Sequence, residues 1–177
     1  MIDTSAFPRP PHYVPNTPAE LEAVEVARQV KSTKAARVEV GMRVLLPNSE
    51  DNPDGPSFIV YNVPDDDAVW ETRARARTAI LDLRHAPTWA LLLQQAQQAV
   101  DGEGRWTTED HPTTGIFGAT WAAWWATVDV VAKSPGGAVG KLFIEVAGVD
   151  HAATKAAMEA RLAKAEADDL FGEGEAR

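Results

Sequence analysis

The sequence predicts an α+β fold: a mainly antiparallel sheet of four or five strands with helices on one face. Period-two alternation of apolar residues marks several short strands, and three-and-four spacing marks helices. The two patterns do not alternate strictly, as a doubly wound parallel sheet would require, and this argues against α/β. A β-rich sandwich is the competing architecture. The body spans residues 17–150, between an extended Pro-rich arm (1–16) and an Ala-rich helix with an acidic tail (151–177).

The arm holds Pro8, Pro10, Pro11 and Pro15, with Pro18 just beyond it. Proline fixes its own φ and pushes its predecessor toward extended backbone. Phe7, Tyr13 and Val14 then need an apolar surface, on the arm's own domain or on a neighbouring subunit. Thr17-Pro18-Ala19-Glu20 is a helix start, with a capping threonine, proline at the first helical position and a glutamate placed to close a capping box. Leu21, Val24 and Val30 extend that helix to about Ala35. Val38, Val40, Met42, Val44 and Leu46 alternate with other residues and predict a half-buried strand ended by Pro47. Phe58–Val63 predicts its partner, across a polar loop in which Asp51, Asp54 and Gly55 read as turn chemistry.

Asp65, Asp66 and Asp67 predict a helix cap for a segment carrying Trp70, Ile80, Leu81 and the basic row Arg73, Arg75, Arg77 and Arg84. On one helix, Arg73, Arg77 and Arg84 would share a face. Pro87 opens another helix with Trp89, Leu92, Leu93, Ala96 and Val100 as its stripe, ended by Gly102. Residues 103–114 read as a polar connection.

Trp121, Trp124 and Trp125 place half of the six tryptophans within five residues. They lead into Ala126–Lys133, Ser134-Pro-Gly-Gly-Ala138 and Val139–Val146, which read as a hairpin. Its turn would be Ser134–Ala138, with Gly136 or Gly137 at positive φ. In that reading Trp124 points into the core and Trp125 outward, as an interface anchor; one continuous core cluster is the alternative. Asp150 caps a final helix from Ala152 to about Leu170, peripheral or packed close against a partner, and Gly172–Arg177 frays.

Composition excludes some chemistries. The chain has 177 residues and no cysteine, so disulfides, thiolate metal sites and cysteine nucleophiles are out. With 26 acidic against 17 basic residues, a net charge of −9 disfavours generic nucleic-acid binding. No stretch has the ~20 apolar residues of a membrane span. The N-terminus lacks a secretory pattern, so synthesis in the cytoplasm is expected, with a virion as a further destination.

No catalytic, cofactor or metal site is expected. His12, His85, His111 and His151 are scattered singly, outside any metal-ligand spacing. Asp110-His111, with Arg105, is the nearest approach to an acid–imidazole site, and the sequence lacks G-x-S-x-G, G-x-G-x-x-G and Walker patterns. The expected function is therefore a non-enzymatic structural subunit acting through protein–protein contacts, in a homo-oligomer or larger assembly. Phe7, Tyr13, Trp121, Trp125, Arg73, Arg77 and Arg84 are the candidate interface residues. Its organisation is that of small phage virion components of the tail or head–tail connector type, an analogy without a motif match. A small enzyme or ligand-binding domain with a pocket near Asp110 and His111 is the alternative. A single-stranded nucleic-acid handler, recruiting partners through Ala167-Asp168-Asp169-Leu170-Phe171, is the third.

Overall fold

The computed structural model describes residues 12–61, 79–100, 103–111 and 113–175. In chain order the described elements are β1 (His12–Tyr13), α1 (Pro18–Ser32), β2 (Arg43–Leu45), β3 (Gly55–Ile59) and β4 (Ile80–Leu81). There follow α2 (Ala86–Ala99), β5 (Arg105–His111), β6 (Ile116–Ala123), β7 (Ala126–Ala132), α3 (Pro135–Ala147) and α4 (His151–Glu175). The class is α+β, as expected, but the strands form two antiparallel sheets. One has the order β1-β3-β2-β4 and the other β5-β6-β7.

Three helices open with the same grammar. Pro lies at the first or second position of α1, α2 and α3, after Thr17, His85 and Ser134. Thr17 accepts from the Glu20 amide at 3.2 Å and Ser134 from the Gly137 amide at 3.0 Å, each satisfying an otherwise unpaired first-turn N–H. The first sheet is local: Val44 pairs with Phe58 and with Leu81. It packs with α1, α2 and α3 in a core containing Met42, Val44, Leu45, Leu83 and Leu92.

The segment Val139–Val146 is helical, which corrects the predicted return strand. Its buried Val139, Leu142, Phe143 and Val146 follow i, i+3, i+4, i+7 spacing, the period of a helix. The Ser134–Ala138 turn is therefore a helix start, and Gly136 and Gly137 do not have positive φ; Gly41, Gly104 and Gly115 do. Gly136 is instead needed for close approach: a Cβ there would fall 1.7 Å from the Leu83 carbonyl oxygen.

Helix α3 packs on α1 and α2 and on strands β6 and β7, and so joins the two cores. Phe143 joins the first core, whereas Ala138, Leu142 and Val146 join a second with Ala119, Trp121, Trp125 and Ala132. Glu22 of α1 fastens the β7–α3 junction, accepting from the Lys133 amide at 2.7 Å and facing the Lys141 ammonium at 3.5 Å.

Other expectations shift too. Residues 105–111 form β5, whose alternation is masked by polar side chains on an exposed strand. Ile80 and Leu81 are strand residues paired with Leu45 and Val44, so Arg84 lies in the following turn and not on a helical stripe. The first predicted strand is ordered as β2 only over Arg43–Leu45. Helix α4 continues past the expected fraying point at Gly172 to Glu175.

Candidate functional site

The hairpin β6–β7 turns on two residues, because Ala123 pairs with Ala126. Trp124 and Trp125 are that turn. Trp125 folds back into the core at 3% exposure and Trp124 stands out at 58%, the reverse of the predicted orientation. The prediction assumed that the strand ran through both residues; a turn carries no period-two alternation.

Trp121 and Trp125 meet edge to face, with ring centroids 5.1 Å apart. The His151 imidazole at the start of α4 inserts between them, 5.3 Å from Trp121 and 5.4 Å from Trp125, both T-shaped. Trp106, opposite Trp121 on β5, closes the group at 6.0 Å. The three T-shaped contacts set ring edges against ring faces, each adding about 0.5–1.5 kcal/mol to the burial. Trp121 donates its indole N–H to the Glu103 carbonyl at 2.8 Å, and Gly104 at φ +93 leaves room for that indole.

This cluster holds the root of α4. His151 Nε2 donates to the Val146 carbonyl at 2.7 Å. Lys155 reaches back to the Glu103 carboxylate at 2.8 Å. That contact holds the Glu103 carboxyl below its usual range and the Lys155 ammonium above its own. Met158 packs against the second core. From Glu159 through Phe171 every residue is exposed, so about three and a half turns of helix leave the body. Leu162, Leu170 and Phe171 are large apolar residues on that stretch, the last two at 78% and 76% exposure.

A second polar group lies under the first sheet. Arg84 grips buried Asp82 with two hydrogen bonds, Nε to Oδ1 at 3.0 Å and Nη2 to Oδ2 at 2.9 Å. The Ser57 hydroxyl donates to the same carboxylate at 3.3 Å. The Arg84 guanidinium lies 3.0 Å over the Tyr13 ring, a cation–π contact, with Glu20 3.9 Å away. Burial raises the Tyr13 phenol well above its ordinary value, and the neighbouring Glu20 adds to the shift. Tyr13 is thus buried against the chain's own body. The adjoining cavity, lined among others by Tyr13, Val24, Leu81 and Arg84, measures only about 10 Å³, the scale of a single water.

Asp110 and His111 are not brought together. Adjacent strand residues point to opposite faces. Asp110 shares the row of Phe117 and Ala132, whereas His111 pairs with Glu109 at 3.4 Å on the open face. Arg105 is exposed at the far end of the same strand. Phe7, Arg73 and Arg77 lie outside the described residues. The sequence reading missed the Glu103–Lys155 pair and the wedge role of His151, because both join segments distant in the chain. Among the described residues no helix is long and apolar enough to cross a membrane, and no group of three or more His, Asp or Glu is placed to hold a metal ion. Compared with known proteins, the chain matches no family model, no curated protein and no solved structure.

Proposed function

We propose that this chain is a non-enzymatic assembly subunit that works by presenting α4 to a protein partner. The observation that carries the reading is the exposure of α4 from Glu159 to Phe171 on a root fixed by the tryptophan cluster. Most helices in globular proteins owe their stability to a buried face. A projecting helix with Leu162, Leu170 and Phe171 exposed on different sides of it gains a buried face on whichever side a partner covers. Trp124 adds an exposed aromatic, of the kind that anchors interfaces. A virion tail or connector is the setting the organisation of the chain suggests.

Complementation of a deletion in the organism of origin tests the reading. Leu162→Glu with Leu170→Glu should abolish complementation while the melting temperature stays near wild type. Asp110→Ala with His111→Ala should complement normally. The opposite pattern would replace this function with the enzyme alternative.

A further inference from the structure

We propose that the partner of α4 is the same helix of a second copy of this chain, bound in parallel and in register; the inference rests on the assembly role proposed above. Ala153, Ala156, Ala160, Ala163, Ala167 and Leu170 follow one another at spacings of three and four. That is the heptad repeat of a two-stranded coil, with Ala153, Ala160 and Ala167 at one core position and Ala156, Ala163 and Leu170 at the other. All six are exposed. The seam is also turned away from the body, which holds the other side of the helix through His151, Lys155 and Met158. Two bodies therefore sit on the outside of a helix pair without blocking it. Alanine lets the axes approach to the short end of the usual ~8–10 Å range, and Leu170 with Phe171 supplies the larger apolar contact at the C-terminal end.

Charge selects the partner and its direction. Glu159 and Glu166 flank the seam on one side, and Lys164 flanks it on the other. In a parallel pair the residue at the seventh position of one heptad meets the fifth position of the next heptad across the interface. Glu159 then meets Lys164 of the second copy, twice by symmetry. In an antiparallel pair Glu159 meets Glu166 of the second copy, also twice, and the contact is repulsive. A strip of alanines alone would fit many surfaces. Glu166 lies opposite Phe171 in the parallel pair, so the Glu159–Lys164 contact, made twice, is the charge match that fits a second copy of this helix.

The test uses the full chain. Because the chain has no cysteine, a single introduced thiol reports its own neighbours. Light scattering at sub-millimolar concentration should give twice the 19.1 kDa of the chain. Leu170→Cys should form a disulfide-linked dimer on mild oxidation, at least about tenfold faster than Ala165→Cys, which lies off the seam. Lys164→Glu should weaken the dimer about tenfold, and Glu159→Lys combined with Lys164→Glu should restore it. These positions are exposed, so circular dichroism and melting should be unchanged. A monomer, equal oxidation rates at the two thiols, or indifference to charge reversal would each overturn the inference. If the chain is monomeric while the Leu162→Glu, Leu170→Glu variant still loses complementation, the assembly role survives with a different partner. If neither property responds, both readings fall.

Discussion

Gly136→Ala should destabilise the fold sharply, although alanine is the better helix former. Replacing a helical glycine by alanine ordinarily gains about 0.5–1 kcal/mol. At this position the new Cβ would fall 1.7 Å from the Leu83 carbonyl oxygen and 2.7 Å from its carbonyl carbon. Ordinary contact needs about 3.5 Å, so the backbones must part by roughly 1.5–2 Å. Neither side has room to yield. Leu83 is buried between β4 and α2, and α3 is held on its other face by Leu142 and Val146 in the second core. Inserting a methyl group into such packing costs about 1–3 kcal/mol or more. Even with the propensity gain the net loss should reach about 2 kcal/mol, which lowers the melting temperature of a chain this size by about 4–8 °C.

Gly148→Ala is the internal control. Its Cβ would stand 3.4 Å from the Ile144 carbonyl oxygen, and the residue's φ of −79 suits alanine. Its melting temperature should stay within about 2 °C of wild type. Differential scanning calorimetry on both variants checks the argument. A folded Gly136→Ala protein that melts at or above wild type would show that α3 does not approach Leu83 as described.

Three further outcomes follow from buried groups. Trp125→Ala should cost about 3–5 kcal/mol in urea unfolding and Trp124→Ala about 0.5 or less, because one side chain is core and the other exposed. Gln95→Leu should cost about 2 kcal/mol, since the Gln95 amide bonds both the N–H and the carbonyl of Arg37, at 2.9 and 2.7 Å, and leucine leaves both unpaired. Burial lowers the His85 pKa below its ordinary 6.5, aided by Arg43 and opposed by Asp82, so the folded state favours neutral imidazole. That stabilisation is complete above about pH 6.5 and is lost as pH falls through the lower folded value. His85→Asn, which keeps an acceptor for the Thr88 hydroxyl 2.8 Å from Nδ1, should flatten this part of the pH dependence of the urea midpoint.

The parts of the fold legible in the sequence are those set by neighbours in the chain. Thr17-Pro18 announced α1, and Pro87 with Trp89, Leu92 and Ala96 announced α2. The same grammar at Ser134-Pro135 was overridden by Gly136-Gly137, which resembles a turn. The two glycines are there for a contact with Leu83 and Ser134, and a contact leaves no local pattern. β5 was lost for a related reason: Arg105–His111 is an edge strand with polar side chains on both faces, so no apolar alternation marks it. The site was half legible. The tryptophan cluster stands out in the sequence, but which of Trp124 and Trp125 faces water depends on where a two-residue turn falls. The alanine seam of α4 was present in the sequence as a strict three-and-four spacing, hidden by alanine's weak hydrophobicity.

The tryptophan cluster acts on the proposed interface at a distance, by fixing the direction of a rigid rod. His151 is wedged between Trp121 and Trp125, Lys155 is tied to Glu103, and Met158 rests on the second core. These three contacts hold successive turns of one helical face, so a small rotation at the root becomes a large displacement at Leu170. His151→Ala removes two T-shaped ring contacts and the bond to Val146, a loss of about 1–3 kcal/mol. The loss should fall mainly on the docking of α4, because α3 keeps its contacts with α1, α2, β6 and β7. Hydrogen exchange should therefore speed up at Lys155–Met158 while the amides of Leu142–Val146 keep their protection. Equal acceleration in both helices would mean that His151 holds the whole second core together. No change in either would remove the cluster as the anchor of α4.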